Sequence, residues 1–335
     1  MIVRLEWSGE MSFQLKAKES ITDGTSRIIR RELEKLLDQL GTKLKSEERE
    51  AWEIEIVHEV RKTFKKVRAA LRLIREGLGD DIYHKENWCF RDAARPISQV
   101  RDAQMLGETL DKLRQQFAGR IEPEMFKKMH DALLANQREV TRRVLKEDKA
   151  LAAVKEVISL ALARISDWKV NQDGWAVVES GLRHVYREGN RARTLAAQDP
   201  TVANLHEWRK QAKYLYRGLQ LLELSWKGHE KELGEQAHEL SDLLGEDHDL
   251  AVLRQTLAAD PLTFGGHAGL KGLFALIDTR RKDLQRQAFA LGRLLYKDSP
   301  KLFTTRIEGY WKAWTVKSQG SSRRVSPTGE QRGIA

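Results

Sequence analysis

The chain is short of the residues that punctuate, crosslink or anchor a fold. It has six prolines in 335 residues, so helices can run long without interruption. It has one cysteine, Cys89, which excludes an internal disulfide and makes a reducing cytoplasm the expected setting. No run approaches the roughly 18 uncharged apolar residues of a membrane-spanning helix, so no membrane association is expected. The first residues show no basic stretch leading into an apolar one, so no secretory signal is expected either. Gly265-Gly266 has no Gly-Lys-Ser/Thr behind it, which excludes a phosphate-cradling loop of that type, and no Cys/His pattern with zinc spacing occurs. No cofactor is expected. Acids are also in deficit, 49 against 59 Lys and Arg, for a net charge of +10. That balance favours an acidic partner: nucleic acid, anionic lipid or a phosphate polymer.

What is present reads as helix throughout. Ile28, Leu33, Leu36, Leu37 and Leu40 form one stripe ending at Gly41, and a long helix is predicted from about Glu48 to Leu78 with Gly79 as its cap. Further helices are predicted over 86–118, 122–167 with a break, 172–198, 201–225, 229–258, 268–297 and 300–315. Pro123, Asn171 to Gly174, Asp199-Pro200, Asp260-Pro261 and Ser299-Pro300 separate them. Residues 1–19 alternate apolar and polar and are read as a leader able to form short strands; the small, polar residues 317–335 are expected to be a disordered tail. Trp311 and Trp314 read as core or end-packing residues.

The chain repeats itself. Residues 57–74 read VHEVRKTFKKVRAALRLI and residues 205–222 read LHEWRKQAKYLYRGLQLL, 148 positions apart. His58, Glu59, Arg61, Lys62 and Lys65 thus align with His206, Glu207, Arg209, Lys210 and Lys213. Val57, Val60, Phe64, Val67, Leu71 and Ile74 align with Leu205, Trp208, Ala212, Leu215, Leu219 and Leu222, and at helical spacing each set makes one narrow stripe. The cations His58, Arg61, Lys62, Lys65 and Arg72, and His206, Arg209, Lys210, Lys213 and Arg217, point roughly 150° away from it. Residues 99–106 (QVRDAQML) then align with 246–253 (EDHDLAVL), placing Asp102 over Asp249 and Arg101 over His248. Two segments repeated in order imply a duplicated helical bundle, 20–165 and 170–316.

A basic face opposite an apolar stripe is ordinarily the solvated side of a helix, but such faces interleave both signs. From His58 to Arg75 there are seven Lys or Arg and one acid, Glu59. Like charges three and four residues apart repel by a few tenths of a kcal/mol per pair; carrying that cost twice points to a bound anion that recovers it. Other helices add cations: Arg91, Arg95 and Arg101; Arg138, Arg142 and Arg143; Arg183, Arg187, Arg191 and Arg193; Arg27, Arg30 and Arg31. Glu230 to Asp249, by contrast, holds eight acids and one lysine. A positive cleft beside an acidic outer surface follows. Arginine forks suit phosphate oxygens, and a basic stripe on a 30-residue helix, about 45 Å long, suits a long anion.

Neither His58 nor His206 has a second ligand at metal spacing, and each has Arg and Lys one turn away. A ring N–H donated to phosphate is the reading adopted for both. Asp102 and Asp249 lie in separate halves and are read as salt-bridge partners that orient an arginine.

These paired His-Glu-x-Arg-Lys helices make the chain resemble the CHAD family, the conserved histidine α-helical domain, over about residues 12–316. The resemblance rests on His58, Arg61, Lys62, Lys66 and Arg68; on His206, Arg209, Lys210, Lys213 and Arg217; on Arg101-Asp102 and His248-Asp249; and on Gly181-Leu182-Arg183, Tyr186-Arg187 and Arg191. It implies an all-α fold of two four-helix bundles related by pseudo-twofold symmetry around a basic central channel. It also implies binding of inorganic polyphosphate, at intracellular granules and without catalysis. Members of the family are often fused to a triphosphate-tunnel enzyme domain, for which no room is expected before residue 20. The second copy departs from the first at Tyr214, where Lys66 stands, and at Gln211, where Thr63 stands, so a weaker grip is expected there.

Two rivals are open at this point. A nucleic-acid binder would share the salt dependence but would want stacking aromatics, and only Tyr214 is expected near the basic face. A metal-dependent phosphohydrolase is the enzyme alternative.

Overall fold

Ser20 starts the first helix by accepting a 3.0 Å hydrogen bond from the Asp23 amide, and Gly41 ends it. The structure, a computed structural model, describes residues 13–42, 45, 48–168, 174–226 and 231–320. Among them twelve α-helices follow one another and no strand occurs. The first six are α1 (Ile21–Leu40), α2 (Arg49–Leu73), the one-turn α3 (Arg75–Leu78), α4 (Asp80–Gln116), α5 (Pro123–Thr141) and α6 (Ala150–Ile165). A π-helical turn, Arg142–Glu147, and left-handed Lys149 (φ 51°) make the break between α5 and α6. The next six are α7 (Trp175–Gln198), α8 (Val202–Leu221), the one-turn α9 (Glu223–Trp226), α10 (Lys231–Ala259), α11 (Gly266–Leu295) and α12 (Pro300–Gly320).

The long helix expected to Leu78 is in fact two. α2 stops at Leu73, Ile74 leaves helical geometry, and α3 closes on Gly79 at φ 80°, a conformation that favours glycine. Leu222 makes the same joint between α8 and α9. All twelve apolar residues of the repeated stripes are buried, between 0 and 3% exposed.

α6 ends at Ile165 and α7 begins at Trp175, yet the apolar interior does not divide there. The larger core takes Ile28 and Leu33 from α1, Val60 and Phe64 from α2, Ile158 from α6, Tyr186 from α7, Trp208 and Leu215 from α8, and Phe303 from α12. A smaller core joins the far ends of two helix pairs, with Leu110 and Met129 from α4 and α5 meeting Leu253 and Ile277 from α10 and α11. The two helical series are therefore fastened twice. Gly181 allows the tightest approach: a Cβ there would run into the carbonyl oxygen of Leu73, so α7 lies directly on the backbone of the last turn of α2.

Three local expectations need correction. Residues 13–19 are irregular, not strand, with the Leu15 amide bonded to Leu221 O at 3.0 Å and Gln14 to Glu223 at 2.8 Å; residues 1–12 lie outside the described residues. The helix expected to stop at 315 continues as α12 to Gly320, with Trp311 8% exposed and packed against Trp175, so 317–320 are not part of a disordered tail; residues 321–335 lie outside the described ones. α4 starts six residues ahead of the predicted 86, because Gly79 both closes α3 and opens α4.

Candidate anion-binding groove between α2 and α8

α2 and α8 pack against each other and carry the two copies of the basic face. Their apolar stripes are inside, so the cations a half-turn away are driven to the surface beside the contact. Arg61 and Lys65 from α2 come within electrostatic reach of Arg209 and Lys213 from α8. Burial pushes Lys65 down, and Arg61, Arg209 and Lys213 push it further, to about 7; its side chain still meets solvent, which softens the shift. Lys213 is lowered by burial first, then by Arg217 and Arg209. The two halves thus crowd like charges at one place. Among the described residues neither Lys65 nor Arg209 forms an ion pair.

On the α2 side of this meeting counter-charge is scarce. Arg61 reaches Asp102 of α4 at 3.2 Å, the role expected for that aspartate, while its Nη1 is closed off with no acceptor. Asp249 does not repeat this pairing; it lies 3.3 Å from Nδ1 of its neighbour His248. On the flank, Lys62 pairs with Glu59 at 3.0 Å and Lys210 pairs with Glu207, the same one-turn bridge in both copies. Those bridges remove part of the repulsion ascribed to the basic face.

His58 sits beside Arg101 and His206 against His248, with ring centroids 4.5 Å apart, so the aligned positions meet aligned partners. Burial lowers His58, and Arg101 lowers it further. Burial, then His248, Arg209 and Lys210, push His206 down to about 4. Both rings thus favour the neutral form more than a free imidazole does.

Beyond the groove, α2 and α4 enclose an open cavity of about 470 Å³ lined by Arg61, Lys65, Arg68, Arg91 and Arg95, five of the expected residues, with Asp92 their one acid. Arg68 is steadied by Asn87 at 3.0 Å, and Arg91 by Asp92 at 2.8 and 3.0 Å. At the other end of α2, Arg72 lies 4.2 Å over the Tyr214 ring, and Arg72, Arg75 and Arg187 all act on His184.

Other expected residues stand elsewhere. Lys66 does not face the groove: it is 9% exposed and bonded to Glu32 of α1 at 2.9 Å. Arg101 is held by Glu108 through two bonds of 2.7 and 3.2 Å. Arg138 and Arg142 belong to a different wall, on α5 and the π-turn, which pack on α4; Arg142 is held by Glu139 and Glu147. On α7, Arg183 pairs with Glu179, Arg187 contacts His184 and Glu188, and Arg191 is exposed one turn on.

Sequence reasoning missed several neighbours. Lys112 of α4 joins Arg209 and Lys213 in a second cavity of about 380 Å³, together with Asp242, Glu246 and Asp249. Tyr216 also lies among the cations, 4.9 Å from Arg217 and 5.8 Å from Lys213, so Tyr214 is not the lone aromatic there. The acid-rich run 230–249 was the available signal for that second cavity.

Among the described residues no group of three or more His, Cys, Asp or Glu is placed to hold a metal ion, and no helix is long and apolar enough to cross a membrane. An all-helical protein in which two contacting helices bring their cations together is thus defined. The CHAD domain family model matches residues 27–258, from α1 to the end of α10, and the chain belongs to that family. The match is shorter at both ends than the 12–316 expected. No curated protein sequence matches the chain.

Proposed function

We propose that the chain binds inorganic polyphosphate along the groove between α2 and α8, at granules of that polymer in the cytoplasm, and that it binds without catalysing a reaction. The observation that carries this reading is the convergence of Arg61 and Lys65 with Arg209 and Lys213, four cations from two helices, with Asp102 paired to Arg61 and the acids of α10 beside Arg209 and Lys213. A phosphate chain would supply negative charge beside these cations. Membership of the CHAD family supports the same ligand.

The two series are read as copies of one unit about a pseudo-twofold axis, with the groove as a basic channel between them. The matched joints at Ile74 and Leu222 and the aligned neighbours of His58 and His206 support this.

Charge reversal of Arg61, Lys65, Arg209 and Lys213 together is expected to abolish polyphosphate binding in calorimetry while helical circular dichroism stays intact. Unchanged affinity would refute the groove. Incubation with polyphosphate, with and without Mg²⁺, is expected to release no phosphate. Single-stranded nucleic acid is the rival ligand. Arg72 already lies over one face of the Tyr214 ring, which leaves less of it for a base. Polyphosphate should therefore displace an oligonucleotide far more readily than the reverse.

A further inference from the structure

The cavity between α2 and α4 differs from the groove in two respects. It is compact, about 470 Å³ in volume, within the range of sites that take small ligands. It also has an apolar floor: Phe64 and Phe90, both buried, meet edge to face at 5.1 Å beneath the cations. A bare phosphate chain makes no use of either.

Outside the lining residues but next to one of them, Arg91, is Trp88, 50% exposed. It lies on α4 one turn before Arg91 and Asp92 and two turns before Arg95, all three lining residues. The Arg91 guanidinium is 5.9 Å from its ring, and His84 flanks it at 5.2 Å, so the indole is steadied but half its surface remains open. An indole left in water beside a set of phosphate-binding groups is a stacking platform without its base. From Trp88 to Arg95 the helix rises about 10 Å, a span suited to a ribose with its phosphates.

We propose that this cavity binds a nucleoside polyphosphate, its phosphates on Lys65, Arg68 and Arg95 and its base on the Trp88 indole. The site shares Arg61 and Lys65 with the groove and so rests on the anion-binding reading given above, but it requires a base that polyphosphate lacks.

Calorimetry on the full chain in magnesium-free buffer separates the two. Three titrants are used: ATP, inorganic tripolyphosphate and long-chain polyphosphate. The variants are Trp88→Ala, Trp88→Phe and Arg95→Glu. Trp88→Ala is expected to weaken ATP roughly fivefold or more, the lower end of base–aromatic stacking, and to leave tripolyphosphate unchanged. Trp88→Phe should restore most of the loss, and Arg95→Glu should weaken both titrants. Equal loss of ATP and tripolyphosphate on Trp88→Ala, or no effect on either, overturns the stacking site. Binding of long polyphosphate with no binding of ATP overturns the nucleotide proposal and leaves the groove standing. ATP binding that depends on Trp88, with no binding of long polyphosphate, sinks the groove instead and sustains this site.

Discussion

The two basic helices carry nearly the same cations, yet their surroundings are opposite in sign. Beside α2, the neighbouring helix α4 contributes Arg91 and Arg95 to the cavity, with Asp92 as its one acid. Beside α8, the neighbouring helix α10 contributes Asp242, Glu246 and Asp249, against which stand Arg209, Lys213 and Lys112. A helix face therefore does not set its own anion affinity. The partner helix decides whether the cations stay uncompensated or are balanced from within.

That difference also relocates the weaker grip expected of the second copy. Tyr214 in place of Lys66 removes no cation from the groove, because Lys66 is buried in its bridge to Glu32. The acids of α10 provide the asymmetry instead.

The sharpest way to break the comparison is to reverse charge on one side at a time. The Arg61→Glu, Lys65→Glu pair should lower polyphosphate affinity roughly a hundredfold, on about 1.5 kcal/mol for each of two charge-assisted contacts. The Arg209→Glu, Lys213→Glu pair, already offset by nearby carboxylates, should cost about tenfold. Calorimetry showing the reverse order would end the argument.

Stability, unlike binding, should be alike on the two sides. Glu86 of α4, its side chain 2% exposed, is gripped by Arg164 at 2.7 and 2.9 Å. Asp247 of α10, also 2% exposed, is gripped by Arg281 at 3.0 and 3.4 Å. Arg164→Ala and Arg281→Ala each leave a buried carboxylate without its cation, Asp247 keeping a neutral 2.8 Å bond from Gln285, at a cost of about 3 kcal/mol, and should lower the Tm by several degrees. A large difference between the two melting points would show that the halves differ in more than groove charge.

Neutralising Asp242 should raise polyphosphate affinity by roughly threefold, less than one full charge-assisted contact, and should steepen its salt dependence. No gain would mean that Asp242 does not compensate Lys213.

The smallest effect is in pH. Lys65 lies below its ordinary value in the folded chain, so the unfolded chain holds more protons from about pH 7 upward, and the free protein should gain stability as pH rises from 7 to 9. Lys65→Met should flatten that rise in thermal melts. Bound polyphosphate favours the protonated amine, so binding at pH 7.5 should take up protons, measurable as a dependence of the heat on buffer ionisation. Proton release would contradict the charge crowding.

Much of the candidate site was legible because helical periodicity is local. His58, Arg61, Lys65 and their aligned residues fall opposite a stripe that is wholly buried, and Asp102, read as the partner of an arginine, holds Arg61 while Asp249 does not repeat it. Less legible were the residues whose role depends on which neighbouring acid claims them or on how far packing leaves them exposed. Arg101 is taken by Glu108, Arg142 by Glu139 and Glu147, and Trp88 stands exposed on α4 beside Arg91.

By itself the sequence determined an all-helical chain, two matching amphipathic helices and their doubled cations, since each follows from spacing along one helix. Tertiary structure decided which cations remain available. Lys65 and Lys66 are consecutive, about 100° apart around α2; one meets Arg209 and Lys213, and the other is sealed against Glu32. Nothing in the local pattern separates them, because the difference lies in what α1 and α8 bring to either side.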